Sequence, residues 1–105
     1  NGIIYKAHMG CTETPAGSNV TADIDLATST DSLAEDARVS TAANPVYLIS
    51  AGGAMTVNMG FESAQGLDLT NCVNSYLYLV NGSGANSGGT YTAGKLIIKL
   101  YGASF

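Results

Sequence analysis

Few side chains in this sequence could carry out chemistry. The single histidine, His8, and the two cysteines, Cys11 and Cys72, are the residues that could act as a base, a nucleophile or a metal ligand. No Gly-x-Ser-x-Gly motif, phosphate-binding glycine loop or recognised zinc-ligand spacing accompanies them. The sequence therefore predicts no catalytic residue, no metal site and no cofactor, and it favours a protein that is not an enzyme.

The two cysteines are better suited to a structural bond than to catalysis. An even number of cysteines in a chain with few charged residues is typical of extracellular proteins, in which disulfides persist. We therefore expect a disulfide between Cys11 and Cys72, which would stabilise the fold by about 4 kcal/mol in the chain-entropy model. Two buried free thiols are the alternative.

Acidic residues are concentrated in one segment, positions 23–36. Oxygen-rich clusters bind Ca²⁺, and Asp23 and Asp25 would share one face of a strand. A solvated strand face followed by a capped turn is the alternative interpretation. The acidic residues of this segment are Asp23, Asp25, Asp31, Glu35 and Asp36.

Two Asn-x-Ser/Thr sequons give candidate N-glycan sites at Asn19 and Asn81. Glycosylation at either residue requires a host with that machinery and an exposed side chain. We expect Asn81 to be the more accessible of the two, because a glycine-rich stretch follows it.

The composition excludes several classes of function. The 105 residues are 46% hydrophobic, which is enough for the core of a single domain spanning positions 1–105, but only 11% are charged. The net charge is −4 and the basic residues form no cluster, so nucleic acid is not an expected partner. No apolar run approaches the roughly 18 residues of a membrane helix, so membrane insertion is not expected either.

Period-2 alternation predicts the strands that position these residues. In the segment 94–101 the aliphatic residues Leu96, Ile98 and Leu100 fall on the same face of an extended chain. This is the pattern of a strand with one buried face. Similar alternation predicts strands at 19–27 and 54–61. The sequence Ala-Gly-Gly at 51–53 predicts a hairpin turn before the second of these. Further strands are predicted at 3–7, 38–41, 46–50 and 72–80.

The segments between these strands read as turns and loops. We expect a loop at 9–18, a bulge at Gly94 and one short helix or 3₁₀ turn near 32–37. About seven strands separated by turns predict an all-β fold. The expected architecture is an antiparallel β-sandwich of Ig-like, pilin-like or jelly-roll type with at most one short helix.

The closing strand carries a family resemblance. The residues Gly-Thr-Tyr-Thr at 89–92, followed by alternating aliphatic residues up to Leu100, resemble the last strand of extracellular β-sandwich modules. Among these modules the chain is similar to the spore-coat-U and archaic chaperone–usher pilin group. The resemblance implies a secreted, cysteine-bridged subunit whose incomplete sandwich is completed by an N-terminal strand of the next subunit. Residues 1–9 would then form the exchanged segment.

The apolar strand near the N-terminus also predicts assembly between copies of the chain. A terminal strand frays or aggregates unless something covers it, so we expect this one to pack on a neighbouring subunit; pairing within the sheet of its own chain is the alternative. The expected function is that of a structural subunit of an extracellular filament or coat, a homopolymer with a processed N-terminus. The residues of the expected assembly strand are Ile3, Ile4, Tyr5, Lys6 and Ala7.

Two other functions stay open at this point. One is a viral capsid or decoration protein, which uses the same kind of sandwich. The other is an extracellular module that binds carbohydrate or another ligand, for which tyrosine rings would be the stacking platforms. The six tyrosines are Tyr5, Tyr47, Tyr76, Tyr78, Tyr91 and Tyr101.

Overall fold

The fold is an antiparallel, all-β sandwich, as the sequence predicts. The computed structural model of the chain describes residues 2–34, 37–82 and 89–104, which form two sheets of three strands each. Six strands are present in these residues, close to the predicted number, and two short 3₁₀ turns lie at Val39–Thr41 and Thr70–Cys72. The strands are β1 (Gly2–Ser18), β2 (Ile24–Ser29), β3 (Val46–Ile49), β4 (Gly60–Glu62), β5 (Tyr76–Asn81) and β6 (Thr90–Ser104).

One long strand pair dominates the first sheet, in which the order is β4–β1–β6. β1 pairs with β6 along its whole length, with Met9 opposite Ile98 and Cys11 opposite Leu96. β4 pairs with the other side of β1 over residues 8–10. β1 is therefore the central strand of this sheet, and its residues Met9 and Cys11 are buried.

The loop predicted at residues 9–18 is wrong, because these residues continue β1. Shifts in the β1–β6 register after Cys11 and around Ala16 accommodate Pro15, which has no N–H to give to a ladder. On the facing strand, Gly94 has a φ of +131°. A Cβ added at Gly94 would lie 3.0 Å from the Cα of Pro15, so glycine is required at this predicted bulge.

The second sheet, with the order β3–β2–β5, is organised around β2. All six residues of β2 are buried, and its inward side chains Ile24 and Leu26 belong to the core. On the opposite face, Asp25 accepts hydrogen bonds from the Ala51 N–H at 2.8 Å and the Ser50 hydroxyl at 3.3 Å. A strand covered on both faces in this way forms the most protected part of the domain.

The hydrophobic core lies between the two sheets. Each large apolar side chain that is fully buried contributes roughly 1.5–3 kcal/mol relative to an exposed one. Leu96 and Ile98 of β6 are half-buried and pack against this core. The buried core residues are Ala7, Met9, Cys11, Ile24, Leu26, Leu48, Ile49, Met55 and Cys72.

The hairpin predicted around residues 51–53 does not form, because β3 and β4 lie in different sheets. The strand predicted at 54–61 is instead a segment that crosses between the sheets and enters β4 only at its end. The Met55 N–H donates to the Ala22 carbonyl at 2.9 Å and holds this segment in place. Met55 is fully buried whereas Val57 is 51% exposed, so the apolar alternation here does not mark a strand.

Four further boundaries differ from the prediction. The strand predicted at 72–80 begins only at Tyr76, after the 3₁₀ turn Thr70–Cys72. The strand predicted at 19–27 begins only at Ile24, because Asn19 turns the chain with a φ of 59°. The strand predicted at 38–41 is the 3₁₀ turn Val39–Thr41. Of the helix predicted at 32–37, residues 32–34 are not helical, and Glu35 and Asp36 lie outside the residues that the structure describes.

Candidate functional site

Cys11 and Cys72 are free, buried thiols, which contradicts the predicted disulfide. The S–H of Cys11 donates to the Glu13 carbonyl at 3.3 Å, and the sulfur of Cys72 lies 3.4 Å from the hydroxyl of Thr28. Each sulfur therefore has its own oxygen neighbour within the apolar core. In this setting the two cysteines act as small hydrophobic residues rather than as a bridge.

The acidic segment does not form a metal site in the described part of the chain. Asp25 is engaged in the interior as stated above, and Asp31 accepts a hydrogen bond from the Ala43 N–H at 2.8 Å. Among the residues that the structure describes, no three His, Cys, Asp or Glu side chains are grouped so that they could hold an ion. Glu35 and Asp36, the remaining members of the predicted cluster, lie outside those residues.

The segment that was expected to leave the domain, residues 3–7, pairs with β6 of the same chain. Ala7 lies opposite Leu100, and the Ala7 N–H also donates to the hydroxyl of Ser63 at 3.0 Å. This pairing corrects the expectation that the segment needs a neighbouring subunit as its partner. The physical reason is the length of β6, which continues to Ser104, beyond the predicted end at residue 101.

The two candidate glycosylation residues differ in accessibility. Asn19 is exposed in the turn that follows β1. Asn81 is half-buried at the end of β5, where it lies opposite Ile24 of β2. The expectation that Asn81 is the more accessible of the two is therefore wrong, and Asn19 is the better candidate.

β6 leaves one long edge of the first sheet open. In the described part of the chain it pairs with β1 on one side and has no strand on the other. Thirteen of its fifteen residues are exposed, and the two exceptions, Leu96 and Ile98, are half-buried. Large apolar or aromatic residues are exposed on both faces of the strand, namely Tyr91, Ile97, Leu100 and Tyr101.

β5 leaves an edge of the second sheet open as well. Leu77 lies opposite Thr28 of β2 and Leu79 lies opposite Leu26, so both leucines share the inward face of the sheet. Leu77 is nevertheless 42% exposed and Leu79 is 52% exposed. The described part of the other sheet therefore leaves this edge of the sandwich uncovered.

Three rings and an ion pair meet on the outer face of the first sheet. The ring centroids of Tyr5 and Tyr101 are 6.4 Å apart, and those of Tyr101 and His8 are 5.2 Å apart. Glu62 of β4 has one carboxylate oxygen 3.6 Å from the Lys6 ammonium and the other 3.5 Å from the His8 Nε2. A cleft of about 330 Å³ begins beside Tyr5 and Lys6.

Two other tyrosines are tied to the loops through their hydroxyls. The hydroxyl of Tyr78 donates to the Asp31 carbonyl at 2.6 Å, and that of Tyr91 donates to the Thr21 carbonyl at 2.6 Å. Desolvation raises the pKa of Tyr91; the hydrogen bond to Thr21 offsets part of this effect, and the negative charge of Asp23 adds to it. These hydrogen bonds give both side chains a structural role.

Comparison with protein-family models, with curated proteins and with solved structures finds no match for this chain. Within residues 2–34, 37–82 and 89–104, no helix is both long and apolar enough to cross a membrane. The open strand edges and the aromatic surface described above are therefore the features that bear on function.

Two features of the sequence indicate the open edges, although neither is among the predicted site residues. Tyr76–Asn81 is apolar or aromatic at most positions of both faces, and Ile97 stands on the otherwise polar face of β6. Such a pattern indicates either two covering layers or an exposed apolar edge, and the sequence alone does not distinguish them. His8 and Glu62 meet through the pairing of β1 with β4, which no local pattern reveals.

Proposed function

We propose that this protein is a structural subunit of an extracellular filament or coat, in which copies associate through their open strand edges. The observation that carries the proposal is β6, an edge strand of fifteen residues of which thirteen are exposed. Unpaired backbone groups along such an edge readily bond to another strand. A share of charged residues of only 11% suits a protein whose surface is largely covered by copies of itself.

The edge that β6 offers runs the length of the molecule. Fifteen residues of regular strand would measure about 50 Å at roughly 3.4 Å per residue. The longest dimension of the domain is 43 Å, and register shifts interrupt the regular β1–β6 ladder. Monomeric proteins usually keep their edge strands short or cover them, so an edge of this length favours a partner.

The charges on β6 disfavour a symmetric dimer. If two β6 strands paired antiparallel about Ile97, the middle residue, Lys95 of one copy would lie opposite Lys99 of the other. Like charges directly opposite each other destabilise a strand pair. The lysines therefore disfavour this central register, and the assembly that we propose pairs β6 with a different edge of the neighbouring copy.

β5 supplies an edge that matches β6. None of the six residues of Tyr76–Asn81 is charged. The side chains of Leu77 and Leu79 lie on the inward face of the sheet but remain exposed. A contact between β6 of one copy and β5 of the next joins two different surfaces. Such a heterologous contact repeats from copy to copy, giving a filament when the rotation does not close and a ring when it does.

Sedimentation velocity and negative-stain microscopy at increasing protein concentration test this proposal. Leu79→Lys places a charge in the expected contact, and we expect it to abolish the larger species, because a buried unpaired charge is costly. Val57→Lys is the matched control, since Val57 is 51% exposed and Leu79 is 52% exposed, but Val57 lies in no strand. The control variant should assemble like the wild type.

Two results would contradict the proposal. One is a wild-type chain that remains monomeric over the whole concentration range. The other is normal assembly by both Leu79→Lys and Ile97→Lys, which together alter the two edges. Loss of assembly in Val57→Lys as well would show that the effect comes from added charge rather than from the edges.

A further inference from the structure

The outer face of the first sheet carries a row of rings at the mouth of a cleft. Tyr5 is 58% exposed and Tyr101 is 36% exposed. The rings of Tyr5, Tyr101 and His8 follow one another at centroid separations of 6.4 and 5.2 Å. The β1–β6 register skips Tyr5, so this residue stands outside the regular ladder and lines the cleft.

The cleft beside this row has both polar and apolar walls. Lys6 and Glu62 line it as an ion pair with 3.6 Å between the charged atoms, and Gln65 adds a side-chain amide. Leu67 and Leu69 also line it and are packed against the core. Its volume of about 330 Å³ is at the lower end of the range of roughly 300–1,000 Å³ that small-molecule sites occupy.

We propose that this surface binds a neutral oligosaccharide, with one pyranose ring stacked on Tyr5 and its hydroxyls bonded to Lys6, Glu62 and Gln65. A pyranose has an apolar C–H face and a polar rim, so it matches an exposed ring that borders hydrogen-bonding groups. The carboxylate of Glu62 accepts hydrogen bonds, the ammonium of Lys6 donates them, and the amide of Gln65 does both. A second sugar unit extends over Tyr101.

The charges at the cleft disfavour other small ligands. The Lys6 ammonium is already paired with the Glu62 carboxylate at 3.6 Å, so a phosphate or carboxylate would have to compete with Glu62 for it, and the net charge of −4 on the chain adds repulsion. A purely apolar ligand would take water away from Lys6 and Glu62 without replacing its hydrogen bonds. A neutral polyol satisfies both groups. The site shares no residue with β5, whereas Tyr101 belongs to β6, the other edge of the proposed assembly, so the test is placed on Tyr5 of β1.

Saturation-transfer difference NMR tests the site, because it reads the signals of the free ligand and works whether the protein is monomeric or assembled. The probes are cellotetraose, chitotetraose and maltotetraose at millimolar concentration. We expect at least one of them to receive saturation at its ring C–H protons and to show a saturable titration. Tyr5→Ala should weaken that binding by about tenfold or more, whereas Tyr5→Phe should retain it.

Tyr47→Ala is the matched control, since Tyr47 is 38% exposed but lies in β3 of the other sheet and in neither of the proposed assembly edges. It should leave the affinity for the oligosaccharide unchanged. The proposal is overturned if none of the three probes binds, or if Tyr5→Ala binds as well as wild type. Because Tyr5 lies in β1 and so in neither of the two edges of the proposed assembly, assembly of Tyr5→Ala in the sedimentation experiment is judged separately, and either proposal can fail alone.

Discussion

Leu26 and Leu79 lie opposite each other across the β2–β5 ladder and share the inward face of the sheet, yet they are 0% and 52% exposed. Neighbours in such a register ordinarily have similar surroundings. Here the covering layer ends between them, so the edge of the core passes along β5. The same boundary separates residues that stabilise the monomer from residues that are available to a partner.

This boundary predicts unequal costs for the same substitution at the two positions. Leu26→Ala should lower the free energy of unfolding by about 2–5 kcal/mol, because it opens a cavity in a closed core. Leu79→Ala should cost the isolated chain less than about 1 kcal/mol, because half of the side chain is already in water. Urea unfolding of dilute protein measures both, and equal losses would show that β5 is covered in solution.

Close contact between β1 and β6 predicts a strict glycine requirement at one position of β1. A Cβ added at Gly17 would overlap the backbone oxygen of Thr90, whereas one added at Gly10 would meet no atom within 4 Å. Gly17→Ala should therefore cost about 1–3 kcal/mol of stability through overpacking. Gly10→Ala, in the same strand, should be neutral or slightly stabilising, and a reversed order in thermal unfolding would contradict the close approach.

The free thiols predict a particular pattern of alkylation. Without reductant, iodoacetamide should react slowly with Cys11 and Cys72 in the folded protein, because both side chains are buried. In denaturant, still without reductant, intact mass should show two adducts on every chain. If the unfolded chain takes up no adduct until a reductant is added, Cys11 and Cys72 form a disulfide and the free thiols are contradicted.

The raised pKa of Tyr91 predicts a loss of stability in alkaline solution. The folded chain holds the phenolic proton to a higher pH than the unfolded chain, whose tyrosines ionise near pH 10. Stability linked to this group is thus complete below about pH 10 and falls as the pH rises toward the folded pKa. Urea midpoints should decline less steeply for Tyr91→Phe than for wild type across this window, and parallel declines would contradict the assignment.

The sequence predicts the fold where burial follows a local pattern. The closing strand and the strand that begins at Val46 are found where alternation or a short apolar run indicates them. Local patterns fail where the partner decides the outcome. Residues 9–18 look like a loop because of Pro15 and Gly17, but β6 pairs with them and register shifts absorb both residues.

The candidate sites are less predictable than the fold, because they depend on contacts between distant segments. Glu62 contacts Lys6 and His8 because β1 pairs with β4. The sequence around each of these three residues does not predict this contact. The disulfide prediction rests on a count of cysteines, which contains no information about the two oxygen neighbours that Cys11 and Cys72 find instead. The exposed leucines of β5 have the same apolar pattern that buried ones would have.

The pairing of Met9 with Ile98 also has a consequence for biosynthesis. β1 is translated well before β6, so the edge of β1 that pairs with β6 has no partner strand until β6 has left the ribosome. Closing such a distant pair is slow, because the loop entropy must be lost before the ladder forms. The nascent chain therefore exposes an apolar, aggregation-prone strand for most of its synthesis, and production of the protein should depend on chaperones that bind extended segments.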